Sequence, residues 1–504
     1  MLPSLTIVLF WLIKGILMLW LLYRYRINHK SSPQGSIEPT FILSHPKVCV
    51  QLPLFNEPGQ IVPLLESISH LSWPHSHLEV QVLDDSSDSL CQQEVDRAFS
   101  QFSETHPSIQ WKLIRRIHRK GYKAGALKEG MNSSQAQFFA VFDCDFRPKP
   151  DFLERTLPIL IRSPEYGAVQ AGWSFCNEHQ NALTRSQAIF LGLHFHLEHA
   201  KKHALGKILN FNGTAGVWRR QSIALAGGWT SQTVTEDLHL SILLGLKSER
   251  IYYMEDLQVE CLLPDQFSSF LIQQRRWAKG HGQVLKLVFK QVIRSQTLSF
   301  AQKVDIIAHL VAYPLSFSFL FLLAALPLWL RERSAWMNSS HHFDFYRVLD
   351  VLIWCLFLAL WLSLFASPKL QRKRNTFVIR WWRAIEAWSV GSLTNLFISP
   401  WFFIGLLSDT RMEAINIFHR TPKDKKAKPL NWKEVCLVLL QITFLASVAI
   451  YAMHLGLYFS SITLIYVVLM GGQILFPNSI SHHALNFANS AHHKVTTKDP
   501  KFFA

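Results

Sequence analysis

Long apolar runs flank a single region of mixed composition, and this segregation constrains the fold of the 504-residue chain more than any other feature. A helix of about 20 residues crosses the ~30 Å hydrocarbon core of a bilayer. The chain is 49% hydrophobic and only 17% charged, which is too apolar for a fully soluble protein. The pattern therefore predicts a polytopic membrane protein with about five spans. The runs are residues 5–22, 306–330, 348–366, 435–453 and 457–476.

Basic residues beside these runs predict the orientation of the chain. Arg24, Arg26 and Lys30 follow the first run, which is the reverse of a secretory signal, so we expect an uncleaved anchor with its N-terminus outside. The loops 367–384 and 408–433 hold six and seven basic residues, which predicts that both lie on the cytosolic side. The mixed region and the C-terminal tail are then expected on that side as well.

The apolar segment 385–407 lies between those two basic loops and cannot cross the membrane once if both loops are cytosolic. It contains Glu386, Asn395 and Pro400, which are unfavourable within a membrane span. We therefore expect interfacial helices along the cytosolic surface here.

Charge and cysteine content narrow the class of protein further. The formal net charge of +16 is compatible with nucleic-acid binding, but the basic residues crowd beside apolar segments, where lipid and topology favour them. We therefore predict no nucleic-acid partner. The seven cysteines form no CxxC pair and no zinc-ligand spacing, which favours reduced thiols in a cytosolic domain.

Three short apolar, β-rich runs in the mixed region alternate with amphipathic stretches: residues 48–54, 78–85 and 138–145. This alternation predicts βαβ units and a parallel sheet. Ligands bind such sheets at the carboxyl ends of the strands, and each of these runs ends at or beside an Asn, Asp or Glu. Neither a GxGxxG nor a Walker sequence is present.

Acidic residues cluster in three places, and two of the clusters end predicted strands. Clustered carboxylates repel one another unless a cation or a hydrogen-bond donor compensates them. A hard divalent metal, bound by one or two carboxylates and by diphosphate oxygens, would do so. For any one cluster alone, an ordinary helix cap or turn is the better explanation. The clusters are Asp84-Asp85, Asp143-Cys144-Asp145 and Glu236-Asp237.

Two further segments offer groups that suit a phosphorylated sugar. Residues 118–127 place cations, including Lys123, before a helix, where they could face a diphosphate. The sequence from Gln273 to Trp277 includes Arg276, whose planar guanidinium suits a diphosphate, and a Trp on which a sugar ring can stack. A solvated helix start and an interfacial Trp-Arg anchor are the alternatives for these segments.

Taken together, the ordered motifs DDS, KAGAL, DCD, FNGTAGVWRR, TED and QQRRW resemble the processive family 2 glycosyltransferases, the cellulose-synthase-like group. The similarity covers about residues 47–290 and is closest to the plant cellulose-synthase-like A and C groups, which make β-1,4-mannan or glucomannan and β-1,4-glucan. The resemblance implies an α/β GT-A-like glycosyltransferase domain inserted between transmembrane helices. It also places a mobile gating loop near Phe418–Lys423.

The resemblance implies a role for each matching residue. Asp237 would be the general base, and Asp145 with Asp143 would hold Mg²⁺ or Mn²⁺. Gln273, Trp277 and Glu236 would contact the acceptor. The remaining donor-binding residues would be Asn56, Glu57, Asp84, Asp85, Lys123 and Arg276.

The implied activity is that of an inverting, processive β-glycosyltransferase that polymerises hexose units and couples this to translocation of the polymer. GDP-mannose, GDP-glucose and UDP-glucose are the candidate donors, a glycan chain is the acceptor, and assembly as a homo-oligomer or with an accessory subunit is left open. The membrane would be the plasma membrane in a bacterium and the Golgi membrane in a eukaryote.

The predicted segments are an N-terminal anchor over 1–30, a cytosolic glycosyltransferase domain over 45–300, a transmembrane hairpin over 301–366, interfacial helices and a candidate gating loop over 367–433, a second transmembrane hairpin over 434–478 and a cytosolic tail over 479–504.

Two other functions share some of these sequence features. A single-addition enzyme that glycosylates ceramide or a polyprenyl phosphate would share the DxD motif and the membrane spans, but the paired C-terminal spans and the QxxRW motif favour the polymerase. A transporter or channel would be expected to show a repeated half, which this chain lacks.

Overall fold

The computed structural model describes residues 45–314 and 377–409, together with residues 436, 443, 446, 447 and 450. Within this part of the chain, no helix is both long and apolar enough to cross a bilayer. The predicted runs 5–22, 348–366 and 457–476 lie outside the described residues, as do most of 306–330 and 435–453 and nearly all of the predicted gating loop and tail. The five-span topology therefore stays a prediction.

A seven-stranded sheet forms the centre of the described region, in the order β3-β2-β1-β4-β6-β5-β7. Strand β6 is antiparallel to both of its neighbours, and all the other strand pairs are parallel. The strands are β1 (Val48–Leu54), β2 (Leu78–Asp84), β3 (Gln110–Arg115), β4 (Phe138–Val141), β5 (Tyr166–Phe175), β6 (Gly216–Arg219) and β7 (Arg250–Cys261).

Helices connect and cover the strands. A π-helical segment, Leu193–His199, separates two of them. The α-helices of the described region are α1 (Ile61–Ser69), α2 (Ser89–Thr105), α3 (Tyr122–Asn132), α4 (Phe152–Arg162), α5 (Ala182–Gly192), α6 (Ala200–Ala204), α7 (Arg220–Leu225), α8 (Glu236–Leu246), α9 (Phe267–Arg294), α10 (Phe300–Leu310) and α11 (Phe377–Leu407).

Strands β1 and β2 are buried along their whole length, because helices cover both faces of the sheet. Successive side chains of a strand point to opposite faces. Val48 and Val50 therefore pack into one core with α1 and α2, while Cys49 packs on the other face with Leu127 of α3. Parallel pairing brings the carboxyl ends of β1 and β2 to one edge, with Leu54 opposite Asp84.

One bound of the predicted strands was wrong. The run 138–145 forms a strand only as far as Val141, because the chain then turns and the Asp143 N–H donates to the Thr214 hydroxyl at 2.8 Å. The three predicted strands, β1, β2 and β4, are parallel, as expected. Strand β6, which the sequence did not predict, runs antiparallel between β4 and β5, so its first residue, Gly216, lies opposite Val141 at the carboxyl end of β4.

The segment 385–407, expected to form several interfacial helices, lies within one continuous helix, α11. Glu386 is buried and forms a bidentate ion pair with Arg185 of α5, with Nη2–Oε1 and Nε–Oε2 distances of 2.7 and 3.1 Å. Helix α11 also lies close against α9: a Cβ on Gly405 would lie 2.0 Å from the Lys279 carbonyl oxygen. The placement of this helix at a membrane surface stays a prediction.

Candidate active site

The first acidic pair lies at the carboxyl end of β2 and is compensated by arginines of the adjacent strand end. Asp84 accepts from Arg115 Nε at 2.8 Å. Asp85 accepts two hydrogen bonds from the guanidinium of Arg116, one of them from Nε at 2.9 Å. Both carboxylates are almost fully buried. This cluster therefore needs no metal ion to offset its charge.

The loop after β1 carries Asn56 and Glu57 next to this pair. Asn56 has a positive φ of 50°, and its Oδ1 accepts from the backbone N–H groups of Ser87 and Asp88 at 2.9 and 3.0 Å. Its side chain thus ties the β1 loop to the β2 loop. Glu57 is half-buried on the same loop.

The basic segment before α3 is pinned to the sheet edge by Arg116, which sequence reasoning missed. Besides binding Asp85, its Nη1 donates to the Lys120 carbonyl at 2.7 Å and its Nη2 to the Tyr122 carbonyl at 2.9 Å. Gly121, with φ +73°, makes the turn into α3. Arg116 thereby fixes the start of the helix that carries Lys123.

Lys123 joins three elements at the centre of the site. Its Nζ contacts Asp143 Oδ1 and donates to the Gly213 carbonyl at 2.9 Å. Burial alone would lower the pKa of Lys123, but the negative charges of Asp143, Glu236 and Asp237 outweigh it and raise the pKa above its ordinary value. The lysine is therefore charged at neutral pH.

Asp145 lies two residues after Asp143, in the turn that follows β4. Its carboxylate is buried, and Oδ2 accepts from the Leu262 N–H at 3.3 Å, just beyond β7. Cys144 between the two aspartates is fully buried. Among the described residues, no group of three or more His, Cys, Asp or Glu could hold a metal ion.

Glu236 and Asp237 begin α8, and Asp237 faces the loop before β6. A Cβ on Gly213, whose φ is +78°, would lie 2.8 Å from Asp237 Oδ2, so only glycine leaves room for this carboxylate. Burial raises the pKa of Asp237. Burial and the charge of Asp237 raise the pKa of Glu236 to about 7. The pair therefore holds its protons more tightly than free carboxylates do.

Helix α9 carries Gln273, Arg276 and Trp277, all half-buried. Burial lowers the pKa of Arg276, while the nearby carboxylates of Glu236, Asp143 and Asp237 oppose that shift. In the described part of the chain, the hydrogen bonds of Gln273 and Trp277 stay within α9.

The structure thus arranges the predicted site residues in two groups. Lys123, Asp143, Glu236, Asp237 and Arg276 interact electrostatically with one another. Asn56, Glu57, Asp84 and Asp85 form a second group at the ends of β1 and β2. Sequence reasoning gave no individual roles to Arg116, Gly213 and Thr214. The FNGTAG motif and the Arg115-Arg116 pair at the end of β3 are the sequence signals from which they could have been found.

Comparisons with known proteins show which proteins this chain is similar to. The family model described as "Glycosyltransferase like family 2" matches residues 45–280. Glucomannan 4-beta-mannosyltransferase 1 of Oryza sativa subsp. japonica is 35% identical over 296 residues, covering 57% of this chain and 56% of that protein. Glucomannan 4-beta-mannosyltransferase 7 of Arabidopsis thaliana is 38% identical over 263 residues, covering 52% and 47%.

The chain therefore spans about half the length of the curated relatives it matches. Among solved structures, a mannosyltransferase from Pyrobaculum calidifontis in complex with GDP-Man and Mn²⁺ superimposes with a TM-score of 0.48 at 20% identity, covering 77% of this chain and 98% of that one.

Proposed function

Because residues 45–280 belong to glycosyltransferase family 2, we propose that this protein is an inverting, processive mannosyltransferase that builds a β-1,4-mannan or glucomannan. The similarity to two plant glucomannan 4-beta-mannosyltransferases supports mannose as the transferred sugar. Of the three donors that the sequence predicts, GDP-mannose is the one that carries mannose.

One observation carries the proposal: the Asp237 carboxylate faces Gly213 beside the Lys123–Asp143 pair. An inverting transfer needs one base on the acceptor side. The acceptor hydroxyl oxygen attacks the anomeric carbon while its proton passes to Asp237. The bond from that carbon to the diphosphate breaks, its electron pair leaves on the phosphate oxygen, and the α-linked donor becomes a β-linkage. The raised pKa of Asp237 strengthens it as a base.

The leaving diphosphate builds up negative charge, which the cations of the site are suited to stabilise. Lys123 stays charged although buried, and Arg276 lies near the same carboxylates. Both interact with Asp143 and Asp237, so they would be close to the diphosphate of a donor whose sugar faces Asp237.

The carboxylate pair after β4 fits a hard divalent cation, because oxygen ligands from one or two carboxylates plus a diphosphate suffice for Mg²⁺ or Mn²⁺. Asp145 and Asp143 would hold it. When bound, the ion would neutralise charge on the diphosphate. The protein ligands alone do not complete a site in the described region, so we expect affinity for the metal to depend on the nucleotide.

The other predicted residues divide between the nucleotide and the acceptor. The β1 and β2 loops, with Asn56, Glu57, Asp84 and Asp85, would hold the nucleoside end of the donor. Gln273, Glu236 and Trp277 would contact the acceptor chain, with the indole as a stacking surface for its terminal sugar. The basic loops 367–384 and 408–433 support a cytosolic catalytic domain on an integral membrane protein, with the spans carrying the polymer outward.

The test uses membranes that contain the full-length protein, incubated in parallel with radiolabelled GDP-mannose, GDP-glucose and UDP-glucose. We expect mannose in a polymer that endo-β-mannanase degrades, with Asp237→Asn membranes as the matched control. Label recovered only in the lipid extract would support a single-addition glycolipid enzyme instead. No transfer from any of the three donors would refute the proposed activity.

A further inference from the structure

A partly buried histidine outside the predicted site contacts the loop that faces Asp237. The π-helical segment Leu193–His199 presents His194, whose Nε2 donates to Asn212 Oδ1 at 2.9 Å. The same oxygen accepts from Asn210 Nδ2 at 2.9 Å. π-Helices are rare and often occur at functional sites, which makes this segment a candidate for a role beyond packing.

Asn212 is well placed to control the next residue, Gly213. Its backbone N–H donates to the buried Gln170 Oε1 at 2.9 Å, and its side chain is held by His194. Two fixed points on one residue define the direction in which the chain enters Gly213. The Gly213 carbonyl accepts from Lys123, and its α-carbon faces Asp237. A shift of Asn212 would therefore move Gly213, which contacts both Lys123 and the Asp237 carboxylate.

The ring of His194 is itself held in place from the opposite side. Its Nδ1 lies 3.7 Å from Glu198 Oε2, and Glu198 Oε1 lies 3.1 Å from Lys202 Nζ. Lys202 is paired in turn with Asp305 of α10 at 3.2 Å, and the His199 ring packs at 4.1 Å between centroids. Because both nitrogens of His194 face oxygen atoms, the ring has one preferred orientation.

We propose that His194 is a positioning residue for sugar transfer. It acts through Asn212 to hold Gly213 in its position against Asp237 and Lys123. This inference rests on the proposed function, because it takes Asp237 as the base. His194 does not touch the reacting atoms. It sets the geometry of the groups that do, and misplacement of a catalytic group by about 1 Å can reduce the rate by about 10²-fold.

The experiment compares His194→Ala with His194→Gln in the full-length enzyme. Glutamine can place its Nε2 near the position of the histidine Nε2 and keep a donor to Asn212. We expect His194→Ala to lower kcat by about 10- to 100-fold with a change of less than about threefold in the KM for GDP-mannose, and His194→Gln to restore most of kcat.

A double-mutant cycle separates this route from general destabilisation. If His194 acts through Asn212, the His194→Ala/Asn212→Ala enzyme should be no slower than Asn212→Ala alone. His203→Ala is the matched control, since His203 is buried on the next helix but packs against Tyr252 with a centroid distance of 4.4 Å. It should lower thermal stability and leave kcat within about threefold of wild type.

The outcomes are distinguishable. Wild-type kcat in His194→Ala, fully additive losses in the cycle, or an equal loss of kcat in His203→Ala would each overturn the inference and leave the proposed function standing. If His194→Ala does not fold, kcat of the Gln variant decides: a 10-fold or larger loss despite the retained donor would overturn the inference. Absence of transfer by the wild-type enzyme would instead remove the proposed function.

Discussion

Asp237 and Asp145 are both carboxylates of the site, yet their surroundings imply different contributions to the reaction. Asp237 faces Gly213 at the start of α8, whereas Asp145 is buried beyond the β4 turn beside the Leu262 N–H. A base acts only in the transition state, so Asp237→Asn should lower kcat by about 10²-fold or more and leave donor binding nearly unchanged.

Asp145→Asn should instead weaken metal-dependent binding of the donor. Nucleotide binding measured against Mn²⁺ concentration, beside steady-state kinetics, compares the two variants. Asp256→Asn, a change at an exposed carboxylate paired with Arg155, is the surface control. Equal losses of donor affinity in both site variants would contradict this division of roles.

The raised pKa of Asp237 predicts the pH dependence of the reaction. A base must be deprotonated, so kcat/KM should fall as the pH is lowered through the pKa of Asp237, which burial raises above the ordinary value of 3.8. Lys123 lowers that pKa by its positive charge. Lys123→Met should therefore shift the acidic limb of the residual activity to higher pH. A limb that stays in place or moves to lower pH in this variant would show that another group controls it.

At the level of elements, the contact between α9 and the residue before α8 determines where the base lies. A Cβ on Gly280 would lie 2.3 Å from Thr235 Oγ1 and 2.4 Å from its Cγ2, and Thr235 directly precedes Glu236. Such overpacking typically costs about 1–3 kcal/mol. Gly280→Ala should therefore displace the start of α8 and lower both kcat and the unfolding temperature.

The compensating change is Thr235→Ala, which removes the two nearest atoms, Oγ1 and Cγ2, and leaves only the Cβ of residue 235 at 2.8 Å. We expect the Gly280→Ala/Thr235→Ala enzyme to regain much of the lost stability and activity, measured by thermal unfolding and by mannose transfer. A double variant as impaired as Gly280→Ala alone would show that the loss does not arise at this contact.

The sequence predicted some elements better than others, for physical reasons. The bounds of β1 and β2 were recovered to within one residue because buried parallel strands read as continuous apolar runs. Strand β3, with the partly exposed sequence QWKLIR, and the four-residue β6 lack such runs and were missed. The early end of β4 was also missed, since it depends on the Thr214 hydroxyl, 71 residues away.

Pairing across the chain limits what could be predicted of the site. The carboxylate clusters were found from sequence, but the cation that compensates Asp84 comes from Arg115, its register partner on β3. The cation expected to compensate Asp84 and Asp85 is therefore supplied by arginine side chains and not by a metal ion. Asp143 is also paired with a cation of the protein, Lys123. The proposal of a metal ion at Asp143 and Asp145 is therefore based on their carboxylate oxygens as ligands and not on a need to compensate charge.

At the scale of the whole molecule, the glycosyltransferase family 2 match covers residues 45–280, where the sequence motifs predict that domain, and the sheet with its carboxyl-edge site agrees with the GT-A-like fold. The membrane topology stays a prediction and can be tested by cysteine labelling in sealed membranes. Residues 373 and 426 should be labelled from the same side as residue 123, and residue 336 from the opposite side. Labelling of residues 373 and 426 from different sides would mean that the chain crosses the membrane between them, in disagreement with the five-span arrangement.

Processivity is a property of the whole molecule, because the growing chain must remain bound at the site while the polymer leaves it. Trp277 on α9 is the residue on which this property is expected to depend. In a single-addition enzyme, an aromatic surface beside the base is optional. In a polymerase, the terminal sugar must be held at that place after every transfer. Loss of the indole face, worth about 1–2 kcal/mol by analogy with other aromatic contacts, should impair retention of the chain more than capture of the donor.

Trp277→Ala should therefore shorten or abolish the polymer while hydrolysis of the donor to free sugar continues. Chain-length analysis of the product, with a hydrolysis assay on the same membranes, measures both quantities. Trp382→Ala on α11 is a matched control, because that indole is 56% exposed and lies outside the predicted site. If the Trp277→Ala enzyme is active and its polymer keeps the wild-type length, Trp277 does not hold the acceptor, and an anchoring role at the membrane interface becomes the better explanation for this residue.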